Sequence, residues 1–166
     1  MKQLHIGVDL GFKGGIAVIN EKGNLIYKTM MPILSNVKKY YDIREIIRIF
    51  IDLQQEHPGY KLNVILEKAL IMPISGRIAV ASTHYCLGLF EGILSSLNIS
   101  YQVINPREWQ KVVFVGMNSK ETKLNSILFC EKKYPNEQFF SSKRAKKIAD
   151  GLTDAVCIAY YSYLQK

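Results

Sequence analysis

The chain has 166 residues and carries 22 Lys and Arg against 14 Asp and Glu, a net charge of +8. With 48% hydrophobic and 22% charged residues, it is too apolar for a disordered chain and too short for two ordinary domains, so one globular domain spanning 1–166 is expected. No stretch approaches the roughly 18 unbroken apolar residues of a membrane span, Met1 to Gly7 lacks the shape of a signal peptide, and Cys86, Cys130 and Cys157 lack zinc-ligand spacing, which together point to a cytoplasmic protein with its cysteines packed in the core.

The first thirty residues read as three strands: Leu4 to Asp9, Gly14 to Asn20 and Leu25 to Met30, with Glu21-Lys22-Gly23-Asn24 as a turn. Their connections are short, so they should be antiparallel neighbours. Tyr41 to Gln55 shows helical spacing of Ile43, Ile46, Ile47, Phe50, Ile51 and Leu53, and His57-Pro58-Gly59 ends it. Leu62 to Leu66 is an apolar run leading to Glu67, a buried strand. After the break at Pro73 to Gly76 comes a long helix, Ile78 to Leu97, with Gly88 and Gly92 one turn apart. These glycines permit close approach of a neighbouring helix, within the monomer or across a dimer two-fold. Tyr101 to Ile104 is the next strand, and Arg107 to Val113 a short amphipathic segment. Lys120 to Tyr134 is helical, Gln138 to Lys146 is a polar, basic loop, and Lys147 to Leu164 is the last helix. The order β-β-β-α-β-α-β-α-α implies a mixed five-stranded sheet, three strands antiparallel and two parallel, with helices on both faces.

Charge is uneven along the chain. From Asn105 to Ala149 ten basic residues face four acidic ones. Such a block suits a polyanion such as nucleic acid, and equally a solvated surface.

Four acidic residues stand where carboxylates are costly. Asp9 lies in the apolar run Ile6-Gly7-Val8-Asp9-Leu10-Gly11, and Glu67 ends Val64-Ile65-Leu66. Asp150 and Asp154, at i and i+4 in the last helix, share one helical face. Singly, each has a structural explanation: a turn at Asp9, a Lys68 or Arg77 partner for Glu67, a cap at Asp150, a backbone amide for Asp154. As a set, unpaired buried carboxylates cost several kcal/mol each and repel one another. A divalent cation removes both problems, and hard oxygen donors suit Mg²⁺, with Mn²⁺ as a substitute. Four carboxylates can hold two ions about 4 Å apart, the arrangement that serves phosphodiester hydrolysis.

Those three acidic segments, with Asp150-Gly151-Leu152-Thr153-Asp154-Ala155 as the third, resemble the acidic motifs of the RuvC-like Holliday junction resolvases, in particular the small phage and low-GC bacterial branch. Val103-Ile104-Asn105-Pro106-Arg107-Glu108-Trp109-Gln110-Lys111 is similar to that branch's V-x-P-x-x-W-Q-K segment, and Gly116 followed by Lys120, Lys123 and Ser126 resembles its lysine-bearing helix. The resemblance covers nearly the whole chain. It implies an RNase H-like fold, a homodimer, and paired metal-dependent nicks in opposing strands of a four-way DNA junction. By position, Asp9, Glu67, Asp150 and Asp154 become metal ligands for two Mg²⁺ ions, and Lys111 and Lys123 catalytic cations near the scissile phosphate. Lys120, Lys143, Arg144, Lys146 and Lys147 join those two lysines as DNA contacts. One departure stands out: bacterial RuvC spaces its last two aspartates by three, whereas here they are four apart, as in mitochondrial relatives.

The resemblance also implies that an apolar side chain among Leu70, Ile71 and Met72 wedges into the junction centre, with simple packing as the alternative. Trp109 either anchors its short helix to the core or stacks on a base. His5 shares a strand face with Asp9 and reads as structural. Competing functions are a nuclease cutting branched DNA broadly, such as flaps and forks, and an RNA-processing nuclease of the RuvX-like kind. Asp9 to Gly15 also resembles the first phosphate loop of sugar kinases and actin-like ATPases, which need two such domains and usually far more residues.

Overall fold

The structure is a computed structural model and describes residues 2–35, 39–68, 77–118, 120–141 and 147–165. Strands β1 (Gln3–Asp9), β2 (Gly15–Asn20) and β3 (Leu25–Met30) form the expected meander. A small hairpin follows, β4 (Ile33–Ser35) and β5 (Lys39–Tyr41). Then come α1 (Ile43–Glu56), β6 (Lys61–Glu67), α2 (Arg77–Ser96), β7 (Tyr101–Ile104), α3 (Pro106–Val113), α4 (Thr122–Lys133) and α5 (Asp150–Leu164).

The five-stranded sheet has the order β3-β2-β1-β6-β7. β1 pairs antiparallel with β2 and parallel with β6, and β6 pairs parallel with β7. The mixed sheet expected from the sequence is therefore the sheet observed. Strand alternation divides the core into two layers. Leu4, Ile6 and Val8 of β1 pack with Val64 and Leu66 of β6 beneath α1 and α2, where Phe50 and Phe90 meet edge to face. Ala17, Ile19 and Ile65 face the other way and pack with α3, α4 and the apolar run Ala155 to Ala159 of α5. All three cysteines are buried and unpaired, as expected. None of the described helices is long and apolar enough to cross a membrane.

Three local differences from the sequence-based expectation have physical causes. The β4–β5 hairpin shows no period because its strands are three residues long. Its Tyr41 pairs with Ile33, so α1 starts at Ile43, with the Asp42 carboxylate accepting the Glu45 backbone N–H at 3.1 Å. The short amphipathic helix expected from Arg107 to Val113 starts one residue earlier as α3, held at its start by Glu108, which accepts the Asn105 backbone N–H at 3.0 Å. The last helix starts at Asp150 rather than Lys147, because Ile148 bridges Phe140 and the Ala149 N–H donates to the Phe139 carbonyl at 2.8 Å. Asp150 is thus the first helical residue, where a carboxylate suits the helix dipole, and Ala149 occupies the cap.

Candidate active site

The strand period decides which way the acidic side chains point. Asp9 has the parity of His5 and Gly7, and Glu67 that of Asn63 and Ile65, so both face the α5 layer. The parallel register, with Val8 beside Leu66, sets Asp9 level with Glu67 at the C-terminal end of the two strands. Helix α5 crosses directly above. A Cβ on Gly7 would lie 2.2 Å from the Ala155 carbonyl oxygen and 2.3 Å from the Ala159 nitrogen. One on Gly151 would lie 2.2 Å from the Lys13 carbonyl oxygen and 2.7 Å from Asp9 Oδ2. Two glycines therefore let the helix backbone rest on β1 and bring Asp154 over the strand carboxylates, while Asp150, one turn earlier, acts on Asp154 and Lys123. Sequence reasoning passed over Gly7 and Gly151; a glycine inside an apolar strand, two residues before an acid, was the available signal of close backbone approach.

Electrostatics reflect this crowding. Burial holds Asp9 well above the usual carboxylate range, and the Glu67 and Asp154 charges raise it further. Burial and Asp154 lift Glu67 from its ordinary 4.5 to about 7, against the opposing pull of the Trp109 hydrogen bond. Burial lifts Asp154 from 3.8 to about 6; the Ser126 hydroxyl and Lys123 oppose the rise and Asp150 adds to it. Desolvation dominates at all three, and mutual repulsion joins them into one cluster. Among the described residues, no three His, Cys, Asp or Glu side chains converge closely enough to hold a metal ion as they stand.

A consequence for stability follows. A carboxyl group that prefers its proton in the folded chain contributes stability below its unfolded value, near 4.5 for Glu67, and loses that contribution as the pH climbs to about 7. Glu67→Gln keeps an oxygen for the Trp109 indole but removes the charge. In EDTA at pH 8 the variant should be more stable than wild type by about 1–3 kcal/mol, roughly 3–10 °C in Tm. At pH 4.5 or below the two should melt together. Parallel melting curves for the two proteins across pH 4–8 would sink this account of the cluster.

Two further side chains hold the carboxylates. Trp109 on α3 is only 1% exposed and donates its indole N–H to Glu67 Oε2 at 3.0 Å. Burial closes the base-stacking reading of Trp109 and leaves the anchoring one, with the carboxylate contact as an unforeseen addition. Ser126 on α4, buried, donates its hydroxyl to Asp154. The sequence placed Ser126 in the lysine-bearing helix but gave it no role. Lys123, whose side chain is 80% exposed, sets its Nζ 3.6 Å from Asp150 Oδ2. Lys111, Lys120 and Lys147 are exposed, on α3, just ahead of α4 and just ahead of α5. Lys143, Arg144 and Lys146 lie outside the described residues, as do the wedge candidates Leu70, Ile71 and Met72. His5 is buried, its Nδ1 3.1 Å from Ser162 Oγ, which agrees with a structural role.

No protein-family model matches the chain, and no curated protein matches it. Solved structures do. Thermus thermophilus RuvC in complex with a Holliday junction substrate matches with a TM-score of 0.61 at 14% identity, over 98% of this chain and 95% of the other. A second Thermus thermophilus RuvC structure matches with a TM-score of 0.56 at 17% identity, over 98% and 97% of the two chains. The chain therefore has a RuvC-like fold, the RNase H-like architecture expected from its motifs.

Proposed function

We propose that this chain is a metal-dependent, structure-selective DNA endonuclease that resolves four-way junctions by paired nicks in opposing strands. The observation that carries the reading is the gathering of Asp9, Glu67 and Asp154, from β1, β6 and α5, into one desolvated, mutually repelling cluster at one end of a RuvC-like fold. A binding protein gains nothing from such a cluster facing a phosphate. By chemistry the donors suit a hard divalent cation, because all are carboxylate oxygens whose repulsion a cation would relieve, and binding one would draw together side chains that as they stand do not converge on one point. Asp9, Glu67, Asp150 and Asp154 would hold two Mg²⁺ ions, with Mn²⁺ as a substitute, which when bound supply an acidified water and charge for the leaving oxygen.

The chain's own groups do the rest. Trp109 fixes the Glu67 carboxylate and Ser126 fixes that of Asp154, so neither has to reorganise when DNA arrives. Lys123, 3.6 Å from Asp150 and opposing the rise at Asp154, neutralises charge growing on the phosphate. Lys111, Lys120 and Lys147, with Lys143, Arg144 and Lys146, hold the backbone of the duplex arms, so binding falls steeply with salt.

The test is cleavage of a labelled four-way junction in Mg²⁺, beside a flap, a fork, linear duplex and structured RNA, with Asp154→Asn as control. Paired symmetric nicks in the junction alone are the expected result. Cutting of every branched DNA would make the protein a general debranching nuclease, and cutting of RNA alone an RNA-processing one. No cutting by wild type, or equal cutting by Asp154→Asn, would overturn the reading.

Paired nicks need two sites, and α2 offers a surface for a second copy. Among the described residues, a Cβ on Gly88 or Gly92 would touch nothing within 4 Å, so none of them packs closely enough to require these glycines. They lie on an exposed face that also carries Tyr85. Helices bare of side chains can approach closely across a two-fold. Gly92→Leu should leave the monomer fold intact and weaken dimerisation at least about tenfold, turning paired nicks into single ones. Light scattering reads the mass; a wild-type monomer, or a variant dimer as tight as wild type, would dispose of this interface.

A further inference from the structure

Between α3 and α4 the chain turns sharply through Phe114, Val115, Gly116 and Met117. The Met117 N–H donates to the Phe114 carbonyl at 3.0 Å, and Gly116 sits at φ +79°, which places Val115 at the first corner of a type II turn. Val115 is 79% exposed; no other large hydrophobic side chain among the described residues exceeds 60%. The turn does not hang free. Phe114 is buried and packs edge to face on Trp109, with ring centroids 5.2 Å apart, and Trp109 bonds Glu67. Two aromatic side chains therefore separate the apolar tip from the carboxylate cluster.

What surrounds the tip selects its partner. A concavity of about 400 Å³ beside the turn is lined by Arg107, Gln110, Lys111, Phe114, Met117 and Thr122. Lys120 and Lys123 follow the turn, and none of Arg107, Lys111 and Lys120 makes a salt bridge among the described residues. Of the two acids nearby, Glu108 is engaged by Asn105 and Glu121 stands beside Lys120. An apolar point bounded by cations complements nucleic acid, in which a charged backbone flanks apolar sugars and base steps.

We propose that the Phe114–Met117 turn is a DNA-reading element of this site, with Val115 packing against a base step beside the bond to be cut and partly unstacking it. The proposal rests on the nuclease reading and adds to it a determinant of where in the DNA the cut falls. The cations fix the backbone and carry no sequence information, whereas the cost of unstacking differs among steps, least at flexible pyrimidine–purine steps. Val115 makes cleavage prefer the steps it can open.

The experiment compares wild type with Val115→Ala on four-way junctions carrying 2-aminopurine at successive steps around the crossover. Fluorescence is read in EDTA, and cleavage products are mapped in Mg²⁺. Val115→Ala should melt as wild type does, because the side chain is exposed. It should lose the fluorescence rise at one step, cut the preferred step at least fivefold more slowly, spread its cuts over neighbouring steps, and keep the salt dependence of binding. Unchanged fluorescence and an unchanged cleavage map would overturn the inference and leave the nuclease reading standing. A fluorescence rise lost in Val115→Ala, from a wild type that cuts nothing, would overturn the nuclease reading and keep the DNA contact. A change in oligomeric mass with unchanged fluorescence would make the turn a protein contact and overturn the proposal.

Discussion

Asp9→Asn should leave a folded protein that binds four-way junctions as tightly as wild type, or more tightly, and no longer cuts them. The substitution is nearly isosteric, which matters because Asp9 Oδ2 lies where a Cβ on Gly151 would come within 2.7 Å, so little room exists for anything larger. It removes one of the mutually repelling charges at a carboxyl group where burial and then Glu67 and Asp154 oppose ionisation. Folding stability in EDTA should hold or rise. Binding of DNA should hold or rise a few-fold, since a negative charge facing the phosphate is lost and the cations remain. Cleavage should fall at least about 10³-fold, some 4 kcal/mol of barrier, because a position between both strands' neighbours and α5 can no longer act as an anionic donor. The separation of effects is what distinguishes a catalytic carboxylate from a structural one. A variant that unfolds by circular dichroism, or that still cuts within tenfold of wild type, would show that Asp9 has a different job.

The sequence carried most of this arrangement because the sheet is built from strands long enough to show their period. Leu4, Ile6 and Val8 alternate against Gly7 and Asp9, and that alternation by itself assigns Asp9 to a face of the sheet. The i, i+4 pair in α5 did the same for Asp150 and Asp154. Elements of three residues, such as β4 and β5, cannot display a period. Helix α5 starts three residues after the Lys147 its sequence suggests, because a long-range bridge, Phe140 to Ile148, competes with helix extension, and long-range pairing leaves no local trace. The supports of the site were hidden for a related reason. Ser126 and Trp109 act through partners 28 and 42 residues away in the chain, so neither shows its role in its own segment. The exposure of Val115 was equally invisible: in a run of Val112, Val113, Phe114 and Val115, hydrophobicity alone cannot say which side chain is left outside.

Gly7→Ala tests whether α5 must lie as close to β1 as it does. The added Cβ would stand 2.2 Å from the Ala155 carbonyl oxygen, 2.3 Å from the Ala159 nitrogen and 2.9 Å from the Ile158 carbonyl carbon. All three are backbone atoms, so no rotamer change relieves the overlap. Either the helix shifts by about an ångström or the strand bends. Overpacking of this kind costs about 1–3 kcal/mol, and the rigid neighbours place this case at the upper end or beyond it. A displaced α5 also carries Asp154 away from Asp9 and Glu67, so activity should fall further than the lost stability explains. Val18→Ala, in the layer under α1 and α2, supplies the comparison: it removes buried volume at a cost of about 2–3 kcal/mol without touching the helix that bears the carboxylates. Measured below both melting transitions, where each variant is folded, Val18→Ala should cut junctions within about twofold of wild type. Gly7→Ala should lose at least tenfold, and its residual activity should need more Mg²⁺. If Gly7→Ala melts with wild type, the helix does not rest on the strand as described. If the two variants lose stability and activity in the same proportion, Gly7 serves the fold alone and the carboxylate cluster tolerates a looser helix.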